Sequence, residues 1–168
     1  MAHTEESELT LRELFRGKRA YADPVACIED LTLELAQRHV DGFPHSIWQL
    51  VFHMNYWMDY EVKRILSERP AYPTHADASW PSALTNEIEW KKASADFRAL
   101  IEQLSVFTED PDLGRQVENM HANQGPRTYS VRDVLWQTMA HNSYHIGQIA
   151  MLRRMLGAWP PKAGGDTW

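Results

Sequence analysis

Two serines constrain this chain more than any other residues. Ser46 stands three positions ahead of Gln49, Ser130 three ahead of Asp133, and each opens a long run of helical period. In such a pair the serine hydroxyl accepts from the N–H three residues on, and that residue's side chain returns to the serine N–H. Two of the donors that a helix start leaves bare are thereby satisfied. After Ser46, the positions Ile47, Leu50, Val51, Met54, Trp57, Met58 and Ile65 form one broad stripe that Pro70 ends. After Ser130, the stripe Val131, Val134, Leu135, Thr138, Ile149, Leu152 and Leu156 runs to Gly157, and Pro160 and Pro161 forbid continuation.

Two further helices of this kind are predicted. Asp23 as N-cap and Pro24 at the first helical position begin one whose inward face is Val25, Ile28, Leu31 and Leu35, closed by Gly42. Another runs from about Asn86 to Val106 with Ile88, Phe97, Leu100, Ile101 and Leu104 inward. A short helix over 7–16 precedes them, stopped by Gly17. Residues 70–84 are too rich in proline for helix and read as an ordered loop. Residues 108–129 hold QVENM, and it can pair with RTYSV as a small hairpin. Four long amphipathic helices without a strand system predict an all-α four-helix bundle with long connecting loops, as one domain over 1–168.

Charge and composition remove several function classes. The net charge is −6 and no Lys/Arg block exceeds a pair, so no nucleic acid is expected as partner. A single cysteine, Cys27, forbids an internal disulfide and suits a reducing compartment. The N-terminus MAHTEESELT is unlike a signal peptide, and no apolar run reaches the ~18–20 residues needed to span a bilayer. The expectation is a cytoplasmic protein with no membrane partner.

The inward stripe of the last helix also carries His141 and His145, one turn apart on the same face. Imidazoles at this spacing can share one divalent ion. Two core histidines, each hydrogen-bonded to a neighbour, are the competing reading. His53 decides between them: it lies two turns into the helix that Ser46 starts, between Leu50 and Trp57 on the inward side. The other five fall elsewhere: His3 at the terminus, His39 near a helix end, His45 just before a cap, His75 and His121 in loops. Three imidazoles with a position left open is the catalytic pattern, since closed structural sites use four protein ligands. HNSYH lacks the Glu of H-E-x-x-H peptidases, so no general base comes from that motif. Because ligating imidazoles must be neutral, metal binding is expected to fail as pH falls through ~6.5.

PHSIWQLVFHMNYW, HNSYHIGQIAMLRRMLG and the WPP tail with GGDTW resemble the DinB/YfiT-like superfamily, over essentially the whole chain from about Leu11. The resemblance implies a bundle holding a divalent metal ion (Zn, Ni, Mn or Fe) through His53, His141 and His145. It also implies a small-molecule substrate. Similar proteins include S-transferases that use a low-molecular-weight thiol, bacillithiol or mycothiol, and maleylpyruvate isomerase-like proteins. A non-catalytic metal-binding bundle and a metal-dependent hydrolase are the alternatives. Gly147 and Gln148 match the family's GQ: the glycine reads as allowing close approach of another helix, and Gln148 as facing the pocket or a helix seam. Trp57 reads as pocket wall or plain core, Cys27 as a small buried apolar residue. Seven tryptophans are more than a small core needs. They suit a homodimer interface, unless Trp80, Trp159 and Trp168 pin the loop and tail onto the bundle.

Overall fold

The computed structural model describes residues 10–18, 20–73, 75–81, 84–118 and 128–164. They are mostly helical: α1 (Leu11–Phe15), α2 (Ala26–Glu29), α3 (Leu33–Gln37), α4 (Ile47–Ile65), α5 (Glu87–Phe107) and α6 (Val131–Met155). A 3-10 turn occupies Ala76–Ser79, and strands β1 (Gln116–Glu118) and β2 (Thr128–Ser130) pair antiparallel with Val117 opposite Tyr129. The expected hairpin is therefore present; Asn119, Met120 and Arg127 lie outside the described residues, and Val131 belongs to α6.

Both serine caps form as their spacing predicts. Gln49 N donates to Ser46 Oγ (3.4 Å) and Ser46 N to Gln49 Oε1 (3.0 Å). Asp133 N donates to Ser130 Oγ (3.2 Å) and Ser130 N to Asp133 Oδ2 (2.9 Å). Asn86 Oδ1 starts α5 by accepting from Ile88 N and Glu89 N. Helix α4 packs against α5, α6 and α3, while α1 lies on α5 and α6 and α2 on α6. Met54 and Met58 of α4, Phe97 and Ile101 of α5, and Leu135, Ile146 and Ile149 of α6 are all buried where these helices meet.

The helix expected from Asp23 to Gly42 is instead the two short helices α2 and α3. Asp23 Oδ1 does accept from Val25 N and Ala26 N, as a cap would, but the helix itself begins later, at Ala26. A continuous helix would then use the carbonyls of Cys27 and Leu31, and other helices claim both. Arg153 Nη1 of α6 donates to Cys27 O (2.7 Å), and Trp90 Nε1 of α5 to Leu31 O (3.0 Å). Leu31 N turns back to Ile28 O, and Thr32 Oγ1 restarts the chain as N-cap by accepting from Leu35 N. Three long helices thus stand where four were expected. Ile88 departs from its expected inward place as well. It is 82% exposed, because α5 turns Trp90, Ala93, Phe97, Ile101 and Leu104 to the core, a phase that leaves Ile88 outside.

Candidate metal centre

The contact between α4 and α6 brings His53 to the pair one turn apart on α6. His53 Nε2 lies 3.2 Å from His141 Nε2, and His145 Nε2 also lies 3.2 Å from His141 Nε2. All three ring nitrogens fall within 4.8 Å of one another. His53 and His145 are buried and His141 half-buried. Every residue that the sequence nominates as a ligand is therefore in one cluster. His39 and His75 are not part of it, and His3 and His121 lie outside the described residues.

The outward-facing nitrogens determine what the inward ones can do. Ser79 Oγ donates its proton to Ala76 O (2.7 Å), so toward His53 Nδ1 (3.0 Å) it acts as acceptor. Gln148 Oε1 accepts likewise from His145 Nδ1 (2.6 Å). Both rings thus carry their proton on Nδ1 and turn an Nε2 lone pair inward, the arrangement that outer partners impose on metal-ligating histidines. Two lone pairs then face His141 Nε2, which can donate to only one of them. Three nitrogens bound tetrahedrally at ~2.0–2.1 Å would be ~3.3 Å apart, close to the two separations of 3.2 Å. The donor set fits a divalent ion.

Electrostatics point the same way. Burial, followed by the nearby His145 and His141 rings, pushes His53 down to about 4. His141 is pushed to about 4 by burial and then by His145, and burial lowers His145 against its bond to Gln148. Each folded-state value lies below the unfolded ~6.5, so the unfolded chain takes up protons first. The stability carried by these neutral rings is complete above that pH and is lost as pH falls toward 4. Metal-free protein should lose ~1–2 kcal/mol for each of His53 and His141 across this window, after allowance for solvent screening. Urea unfolding at several pH values checks it, and the slope should shrink in His53→Ala. A slope unchanged by that substitution would contradict a neutral, buried His53. The same shift moves proton competition for a metal below the ~6.5 expected from sequence.

The loop before α5 supplies what sequence reasoning missed. Trp80 lies flat between two imidazoles, 3.9 Å from the His53 ring and 3.8 Å from that of His45, with 9° between planes in each case. Pinning its loop is one role expected of Trp80; shielding a histidine of the cluster is an addition. His45, expected only to precede a cap, is thereby drawn beside the site. Nothing in ADASWP signals Ser79, a serine in a Pro-rich loop. Trp57 contacts the His53 ring edge-on (6.4 Å, 74°), as a pocket wall would, and Gln148 faces the site. Gly147 differs from expectation: a Cβ there would meet nothing within 4 Å, so among the described residues no other element approaches it. Cys27 is fully buried, and burial pushes its thiol up to about 12, which removes it as a nucleophile. Ser79→Ala should leave the fold intact and weaken metal binding roughly 10–100-fold. Titration with Zn²⁺ against a competing chelator measures this; unchanged affinity would show that Ser79 does not orient His53.

Fold and site together define a helical protein with a three-histidine cluster able to hold a divalent ion. A model of the DinB family matches residues 19–166, and the chain belongs to that family. No curated protein matches it. Among the described residues no helix is long and apolar enough to cross a membrane.

Proposed function

We propose that the protein is a single-domain metalloenzyme in which His53, His141 and His145 hold a divalent ion, with a low-molecular-weight thiol or water attacking a small electrophile. The observation that carries this reading is the pair of tautomers set by Ser79 and Gln148, which turn two Nε2 lone pairs onto one point. When bound, a divalent ion supplies Lewis acidity that lowers the pKa of an adjacent thiol or water. The chain's own residues bind and orient: Ser79 and Gln148 hold their rings in register, and Trp80 covers the flat face of His53. Cys27, fully buried, offers no nucleophile. In thiol transfer the S–H proton goes to solvent, sulfur bonds to carbon, and the leaving group departs with the bond electrons.

The test is consumption of 1-chloro-2,4-dinitrobenzene by protein loaded with Zn²⁺, Ni²⁺, Mn²⁺ or Fe²⁺, with and without bacillithiol or mycothiol. Thiol-dependent chloride release that disappears in His141→Ala supports the transferase. Turnover of ester substrates without thiol would favour a hydrolase. A metal that raises the melting temperature without any turnover would leave a metal-binding bundle.

The α2–α3 segment, packed on α4 and α6, is read here as the fourth member of a four-helix bundle. A homodimer belongs to the same proposal, and α6 supports it. Trp136 (47% exposed), Tyr144 (64%), Met151 (51%) and Met155 (54%) follow one another at helical spacing along one outward face. Gly147, open on that face, would let a second α6 approach closely. Sedimentation at micromolar concentration should show a dimer that Trp136→Glu dissociates; a 19.5 kDa species alone would refute it.

A further inference from the structure

A trench of about 750 Å³ runs between the outer flanks of α4 and α5, and the histidine cluster takes no part in lining it. Its existence follows from side-chain size. Helix α5 offers Ala93 and Ala99 where α4 offers Trp48, Phe52 and Tyr56, so large rings on one wall face short methyls on the other. The volume lies in the range of small-molecule sites, roughly 300–1,000 Å³.

The polar groups of the trench are one-sided. Asp59, Glu89 and Asp96 line it, against a single ammonium, Lys92. Lys92 already pairs with Asp96, and Asp59 is paired from outside by Lys63 (2.7 Å). Glu89 accepts from the Thr85 hydroxyl (2.8 Å), and no ion pair reaches it among the described residues. Asn55, also in the lining, donates through Nδ2 to Ala93 O (2.8 Å), which fixes its amide so that Oδ1 is the remaining acceptor. That Oδ1 is buried without a hydrogen-bond partner. Carboxylates in excess and three aromatic rings favour a ligand that is a cation with an apolar body. The rings offer the apolar body a wall. The same carboxylates repel an anion.

We infer that the trench between α4 and α5 binds an organic ammonium compound, its apolar part against Trp48, Phe52 and Tyr56 and its charged head toward Glu89 and Asp96. This site is independent of the three histidines.

Calorimetric titration of the full chain with 4-phenylbutylammonium tests it, with 4-phenylbutan-1-ol and 4-phenylbutyrate as the neutral and anionic counterparts. The ammonium should bind at least about tenfold tighter than the alcohol, and the carboxylate should not bind. Glu89→Gln/Asp96→Asn should cut ammonium affinity roughly fivefold or more and leave the alcohol unaffected. Ala99→Trp places a ring in the trench from an exposed helix position and should abolish binding while circular dichroism and Zn²⁺ stoichiometry stay unchanged. Equal binding of ammonium and alcohol, or binding that survives Ala99→Trp, would overturn the proposal. So would absence of heat up to about 10 mM ligand, an affinity too weak to mean a site. If Ala99→Trp alters sedimentation and no ligand binds, the trench belongs to a second copy of the chain and the proposal fails. Because every arm reads ammonium binding with metal content as a separate control, failure here and failure of the metal reading are distinguishable.

Discussion

His53→Ala, His141→Ala and His145→Ala should each remain helical and folded while losing the divalent ion, and with it any turnover. The fold survives because the long helices carry their own caps at Ser46, Asn86 and Ser130 and bury apolar stripes that need no metal. A zinc finger, whose core is its ion, behaves oppositely. Removing His53 or His145 should even relieve the metal-free protein, since two inward lone pairs compete for a single donor on His141. Removing two rings should cost little more activity than removing one, because ligands that act as a unit are not additive. Metal content by elemental analysis beside far-ultraviolet circular dichroism decides the matter. Wholesale unfolding would make the cluster structural, and full metal retention would mean that other residues bind the ion.

Arg153→Met should destabilise the fold markedly without touching the histidine cluster. Arg153 is 2% exposed, and its guanidinium reaches Cys27 O, the Asp30 carboxylate (2.7 Å) and, through two nitrogens, Ala158 O (3.0 and 2.8 Å). It therefore ties α2 and the segment after α6 to α6 itself. Burial alone would raise the Asp30 carboxyl, but the Arg153 hydrogen bond and the Lys162 N–H outweigh it and hold the group below its usual value. Methionine fills a similar volume yet leaves two carbonyls without this donor and the Asp30 carboxylate with only the Lys162 N–H. The carboxylate left behind is only half-buried, so the loss is set mainly by the carbonyls deprived of their donor, ~1–3 kcal/mol each at most. For a chain of this length each kcal/mol is a fall in melting temperature of about 2–4 °C. Urea and thermal unfolding measure it, while metal stoichiometry of the folded protein should not change. A loss below about 1 kcal/mol would show that the α2 segment is not anchored through this residue.

What could be read directly from residue order is what depends on neighbours within a turn or two. The starts of α4, α5 and α6 are local, because a serine or asparagine reaches N–H groups two or three residues on whatever the rest of the chain does. The shared face of His141 and His145 is equally local, a consequence of helical period alone. His53 could be nominated because it sits on a strong stripe, but only the packing of α4 on α6 sets its ring beside theirs. Ser79 and Trp80 could not be nominated as partners of His53, because a loop residue's neighbours are fixed by where the loop lands. The break between α2 and α3 has the same origin: Asp23, Pro24 and the stripe through Leu35 favour one helix, and Arg153 and Trp90 take the two carbonyls it would need. Ile88 stands on the opposite face of α5 from Phe97, Ile101 and Leu104, so helical period itself places it in solvent. Hydrogen bonds that close within a few residues are written in the sequence. Those that join distant segments compete with them, and in the α2–α3 segment, where buried groups of α5 and α6 must find acceptors, the distant ones win because an unsatisfied buried donor costs more than a broken helix.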